Sequence, residues 1–125
     1  MHSVAAPRSG LDAGALEQLA ASIGPENLVG VMDQVMRSAT HARGEMSRAG
    51  GNLARVAAIA HSVKSECAYM GATHLVQRLE AIEHRARDLS RPQSLDDLPA
   101  ILADIDAFVD EVRRERAARA KSPSR

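Results

Sequence analysis

The apolar residues of this 125-residue chain recur at spacings of three and four along most of its length. Such spacing places apolar side chains on one face of an α-helix. Across residues 11–112 the pattern predicts five helices, separated by short breaks that are rich in glycine or proline. Long amphipathic helices joined by short connections favour a bundle. The predicted fold is therefore all-α, an antiparallel four-helix bundle with an additional short N-terminal helix.

Local signals mark where these helices begin and end. The residues that suit a helix start are Asp12, Pro25, Asn52 and the pair Ser94 and Asp97, which resembles a capping box. The glycines that suit a helix end or a tight turn are Gly24, Gly50, Gly51 and Gly71. The apolar stripe predicted for the fourth helix is Leu75, Leu79, Ile82, Ala86 and Leu89. These signals predict the helical body at 11–112, after a disordered N-terminus at 1–10.

Charge is distributed unevenly along the chain, although the formal net charge is zero. The tail at 113–125 holds six basic residues and one acidic residue, whereas the rest holds ten basic and fifteen acidic residues. We predict a basic C-terminal tail that is frayed or disordered. A nucleic-acid binder would use such a tail, but the acidic body and the absence of interleaved aromatic residues argue against that function.

Composition also indicates the environment of the protein. Aromatic residues make up 2% of the chain, so the core must be aliphatic. The single cysteine, Cys67, cannot form an internal disulfide, which fits a reducing compartment. No apolar run is long enough for a membrane span, and the N-terminus lacks the apolar segment of a secretion signal. We therefore expect a cytoplasmic protein with no membrane partner.

One face of the third predicted helix carries a candidate functional site. His61, Lys64, Ser65 and Ala68 stand at i, i+3, i+4 and i+7, and Ala57 lies one turn before the histidine on the same strip. Small residues around the ring leave it projecting above the helix surface, where another protein can approach it. We call these five residues the acceptor strip and interpret Ala57, Ser65 and Ala68 as its partner-docking residues.

The chemistry of the acceptor strip fits a nucleophile. A neutral imidazole has one ring nitrogen with a free lone pair, and Lys64 offers a positive charge one turn away. If the fourth helix returns past Gly71, Glu80 and Glu83 lie roughly opposite His61, and Glu83 is our candidate to orient the ring. The plainer interpretation is a solvated surface histidine, which is the usual status of a lone histidine on a helix. Glu80 and His84 share a face but are too few for a metal site.

A resemblance strengthens the functional interpretation. The segment from Ala60 to Glu80 resembles the signature A-H-x-L-K-G-S-S-x-x-x-G-A-x-x-L-x-x-x-L-E of histidine phosphotransfer (HPt) domains. The matching residues are Ala60, His61, Lys64, Gly71, Ala72, Leu75, Leu79 and Glu80, with Val63 in place of leucine. Two departures from the signature matter, since Ser65 replaces the glycine after the lysine and Glu66 replaces the next small residue. Glu66 lies about 140° around the helix from His61, where it can flank a docking surface.

The resemblance implies a phosphoryl carrier without its own ATP site. His61 would accept a phosphoryl group from a receiver-domain aspartate and relay it to another response regulator, and Lys64 would steady that group. The implied partners are receiver domains and a hybrid sensor histidine kinase, with Mg²⁺ on the receiver and no cofactor on this chain, which is expected to be a monomer. Two alternatives stay open: a stand-alone phosphoacceptor domain of the chemotaxis-kinase type, and a helical adaptor that binds a receiver or kinase without being phosphorylated.

Overall fold

A computed structural model describes residues 10–90, 92 and 95–121 of the chain. Five helices and no strands are found among these residues: α1 (Ala13–Ile23), α2 (Pro25–Ala49), α3 (Leu53–Tyr69), α4 (Thr73–Arg87) and α5 (Leu98–Lys121). The prediction of an all-helical chain is confirmed. None of the five helices, within the part of the chain described, combines the length and apolar composition that crossing a membrane requires.

The predicted start signals act as expected where the structure describes them. The Asp12 carboxylate accepts hydrogen bonds from the Gly14 and Ala15 amides, so it caps α1. Pro25 occupies the first turn of α2, and the Asn52 side chain caps α3 by accepting from the Arg55 amide at 3.1 Å. Ser94 of the predicted capping box and residues 1–9 of the predicted disordered segment lie outside the described residues.

The core is aliphatic, as the composition requires, and it fills the space between all five helices. The apolar stripe of α3 is buried along its whole length, and Phe108 of α5 is the largest of the fully buried side chains. The prediction that Leu89 belongs to the apolar stripe of α4 is wrong, because its side chain is 83% exposed. The physical reason is that α4 ends at Arg87, so the 3.6-residue period no longer directs this side chain to the core.

The prediction of a frayed tail is wrong over 113–121, where α5 continues as regular helix to Lys121. Arginines of this segment form ion pairs with earlier helices. Arg116 forms two hydrogen bonds to the Asp33 carboxylate of α2, at 2.9 and 3.2 Å, and the pKa of Asp33 is lowered chiefly by them. Arg119 contacts Glu17 of α1 at 3.0 Å. Ion pairs with α1 and α2 thus hold this basic segment in place, although composition alone predicts that it is solvated.

The turn between α3 and α4 determines how these two helices face each other. Gly71 has a φ of +73°, and the amides of Gly71 and Ala72 donate to the carbonyls of Ala68 and Cys67 at 2.9 and 3.1 Å. This pair of bonds is the Schellman ending of a helix, which favours glycine at the left-handed position. A Cβ on Gly71 would lie 2.5 Å from the Asp12 Cβ. The turn is therefore packed closely against the residue that caps α1.

We predict that Gly71→Ala destabilises the protein by about 1–3 kcal/mol, because it adds a strained backbone conformation and a clash with α1. The matched control is Gly30→Ala on the exposed face of α2, where a Cβ meets nothing within 4 Å. This control should stabilise the protein by roughly 0.5–1 kcal/mol. Urea unfolding measures both variants. An unchanged midpoint for Gly71→Ala would contradict the role given to this turn.

Candidate functional site

The acceptor strip is placed by α3, but its members differ in exposure. The His61 side chain is 75% exposed and projects from the helix, as predicted. Ser65 and Ala68 are also exposed. Ala57 is 8% exposed and belongs to the core, because neighbouring helices cover the N-terminal end of the strip. Its interpretation as a docking residue is therefore wrong, and the accessible strip begins at His61.

Glu83 of α4 lies against the acceptor histidine. Its Oε1 atom is 3.3 Å from the Nδ1 atom of His61. An ionised carboxylate can only accept a hydrogen bond, so Nδ1 carries the ring proton and donates a hydrogen bond to Glu83. The other nitrogen, Nε2, then holds the free lone pair. Glu83 therefore lies within hydrogen-bond distance of the ring, and Nε2 is the ring nitrogen that it does not contact.

Lys64 is held by the same carboxylate. Its Nζ atom donates a hydrogen bond to Oε1 of Glu83 at 3.2 Å and lies 3.1 Å from Oε2. A second carboxylate, Glu80, is 3.9 Å away. The Lys64 side chain is 25% exposed, so it is anchored between α3 and α4 instead of moving freely in solvent. Sequence analysis placed this lysine beside His61 and missed its ion pair with Glu83.

Glu83 is a buried charge, being 9% exposed. Burial raises the pKa of its carboxyl group, but the hydrogen bonds from Lys64 and His61 and the positive charge of Lys64 outweigh that effect and hold the pKa below its ordinary value of 4.5. Oε2 is buried and makes no hydrogen bond with good geometry within the described part of the chain, so its compensation comes from the charge of Lys64. The site therefore contains an ionised carboxylate whose partners are both on α3.

Three other residues of α3 with polar or reactive side chains lie outside this cluster. Ser62 turns its hydroxyl back to the Ile59 carbonyl at 2.7 Å. Tyr69, two turns beyond His61, is 60% exposed at the C-terminal end of α3. Cys67 is buried, and desolvation raises the pKa of its thiol to about 12, so it stays protonated and unreactive. Among the nucleophilic side chains of α3, His61 is the one that is both oriented and open to solvent.

Fold and site together define an all-helical module that presents one oriented histidine to a partner. A family model described as Hpt domain matches residues 13–115. The match covers most of the chain, which therefore belongs to the Hpt domain family. Hpt domains are histidine phosphotransfer carriers of two-component phosphorelays, they interact with response regulator receiver domains, and they are not ATP-dependent enzymes. No curated protein and no solved structure matches the chain.

We predict a specific pH dependence for the Glu83 cluster. The pKa of Glu83 is lower in the folded chain than in the unfolded chain, so its ionisation stabilises the fold above the unfolded value and this contribution is lost as the pH falls through the folded value. The Glu83→Gln variant lacks it. The difference in unfolding free energy between wild type and variant should therefore shrink from about pH 5 to about pH 3. Chemical denaturation across this range measures the difference, and a constant difference would contradict the ionised pair.

Proposed function

We propose that this protein is a phosphorelay intermediate in which His61 accepts a phosphoryl group from the aspartate of one receiver domain and passes it to another response regulator. The observation that carries the proposal is the His61–Glu83 contact on an exposed ring. It leaves Nε2 free to act as a nucleophile on an exposed ring, at the start of the accessible part of the acceptor strip. The first donor is proposed to be the receiver domain of a hybrid sensor histidine kinase, and the carrier is proposed to act as a monomer.

The proposed step transfers the phosphoryl group between two side chains. Nε2 of His61 attacks the phosphorus atom of the aspartyl phosphate, the P–Nε2 bond forms, and the P–O bond to the aspartate breaks to release its carboxylate. Positive charge develops on the ring, and the Glu83 carboxylate at Nδ1 stabilises it. Mg²⁺ belongs to the receiver domain in this proposal. The reverse sequence loads the next receiver.

Lys64 is proposed to assist the phosphoryl group from its anchored position. Its ammonium group already faces Glu83, and it lies one helical turn from His61, so small movements bring it towards an anionic group on Nε2. Because Glu83 fixes the side chain, less conformational entropy is lost when the lysine meets the phosphoryl oxygens. The anchor thus supports the role that the resemblance implies for Lys64.

The arrangement of helices also supports a four-helix bundle with α1 as an additional helix. Contacts connect α2 to α3, α3 to α4, α4 to α5, and α5 back to α2, which closes a ring of four helices. The shorter α1 packs outside this ring, against α2 and α3. In this arrangement α3 presents the His61 face outwards while its apolar stripe fills the core.

We predict that His61→Gln abolishes phosphorylation and leaves the fold intact, because the ring is exposed and its removal creates no cavity. The measurement is transfer of radiolabel from phosphorylated receiver domains, with circular dichroism as the check on folding. Replacing His74, which is exposed on α4, by glutamine is the matched control and should keep full labelling. The label on wild type should be acid-labile and base-stable.

Two results would contradict this assignment. Label that persists on the His61→Gln variant would place the acceptor elsewhere, and an acid-stable label would point to Ser62 or Ser65 instead of a histidine. A wild-type chain that binds receivers tightly but takes no label from any of them would be a helical adaptor. Labelling by an ATP-bound kinase domain, with no labelling by receivers, would make it a phosphoacceptor domain of the chemotaxis-kinase type.

We predict that Ser65 borders the path of the incoming aspartyl phosphate, because it is exposed one turn from His61 on the same strip. Ser65→Gly should keep transfer within a few-fold of wild type. Ser65→Trp should lower the rate about a hundredfold or more, since in-line transfer tolerates little misplacement of the reacting atoms. Both rates are measured with one cognate receiver, and melting temperatures should change little. Normal transfer by Ser65→Trp would show that partners do not dock on this face.

A further inference from the structure

A groove lies between α2 and α3, on the side of α3 that faces α2, whereas Glu83 contacts His61 from α4. Its volume is about 320 Å³, and its floor is formed by the buried apolar residues Ala42, Ile59 and Val63. Ser62, the neighbour of His61 in sequence, is part of its wall. We name this feature the α2–α3 groove. The ion pair of Lys64 with Glu83 lies on the α4 side of α3.

Charged residues on the rim of the α2–α3 groove are not equivalent. Glu45 of α2 is already compensated, because Arg48 and Arg55 donate to its two oxygens at 2.8 and 2.9 Å. Glu66 of α3 also lines the groove and makes no hydrogen bond or ion pair within the part of the chain that the structure describes. The groove therefore combines an apolar floor with one uncompensated carboxylate at its edge.

That combination fits one kind of occupant. Lysine and arginine have an aliphatic stem that packs on apolar surface and a cationic head that seeks a carboxylate. A protein partner of standard size covers about 800 Å² on each side of an interface, which is far larger than one imidazole ring. A receiver that delivers its aspartyl phosphate to Nε2 therefore also covers the groove one residue away.

We propose that the α2–α3 groove binds a lysine or arginine side chain of the partner receiver domain, and that Glu66 selects receivers carrying this charge. The proposal rests on the proposed function, since it takes a receiver as the occupant. It deepens that function by separating two tasks on one helix. His61 performs the transfer, and Glu66 contributes to the choice of partner without contacting the phosphoryl group.

The test measures transfer from one phosphorylated cognate receiver to the full chain at several receiver and salt concentrations. Glu66→Gln should raise the half-saturating receiver concentration about two- to fivefold, which is the range of one partly exposed ion pair, and should weaken its salt dependence. Glu66→Lys should raise it about tenfold or more through like-charge repulsion. The maximal rate at saturating receiver should stay within about twofold of wild type for both.

The matched control is Glu26→Gln, which removes the same charge from the first turn of α2, about 18 Å along the helix from the groove. It should leave the half-saturating concentration unchanged. A further measurement replaces the surface lysines and arginines of the receiver by glutamate, one at a time. One of these receiver variants should recover transfer to Glu66→Lys, because the swapped charges again attract each other.

Failure of this proposal is distinguishable from failure of the proposed function. If His61 is labelled normally and both Glu66 variants match wild type in half-saturation and salt dependence, the groove assignment is overturned while the carrier function stands. The groove assignment is likewise overturned if no receiver variant restores transfer to Glu66→Lys, or if Glu66→Lys changes the sedimentation of the chain alone, which would make a second copy the occupant. If no receiver labels wild type, both proposals fail.

Discussion

The burial of the Glu83 carboxylate is the constraint on which the rest of the site depends. Removing an ion from water costs several kcal/mol unless partners compensate it, and unpairing such a group typically costs about 3–5 kcal/mol. Both partners of this carboxylate, Lys64 and His61, come from the neighbouring helix. The same contacts that make the buried charge tolerable also fix the ring tautomer and anchor the lysine. The stability of the buried carboxylate and the arrangement of His61 and Lys64 therefore depend on the same contacts.

The turn at Gly71 allows Glu83 of α4 to reach its two partners on α3. Its left-handed backbone and its two helix-ending hydrogen bonds turn the chain so that α4 returns along α3. Glu83 then lies beside a histidine twenty-two residues earlier in the chain. A shift of one residue in α4 would rotate its side chains by about 100° and remove the carboxylate from the ring. The start of α1 packs against the same turn, through Asp12 and Ala15.

The surroundings of His61 divide into two chemically different sides. Towards α4, the ring faces a compensated ion pair that acts on the imidazole itself. Towards α2, its neighbour Ser62 lines the α2–α3 groove together with Glu66, the carboxylate that we propose to select the partner. The proposed relay exchanges phosphoryl groups with more than one partner, which requires a fixed environment at His61 and a separate site for choosing the partner. If the two proposed functions use different sides of α3, each can change without disturbing the other.

The sequence by itself determined the local features of this protein. Periodicity predicted five helices, and the caps at Asp12, Pro25 and Asn52 were found because capping depends on residues close in sequence. The exposed His61 was predicted from the same periodicity, and Lys64 and Glu83 were predicted as its neighbours from helix spacing and the expected return of the fourth helix. The tertiary structure alone decided what depends on distant neighbours: the burial of Ala57, the anchoring of Lys64 by Glu83, and the helical course of 113–121. Each of these follows from which helices lie side by side, and a pattern that repeats every 3.6 residues carries no information about that choice.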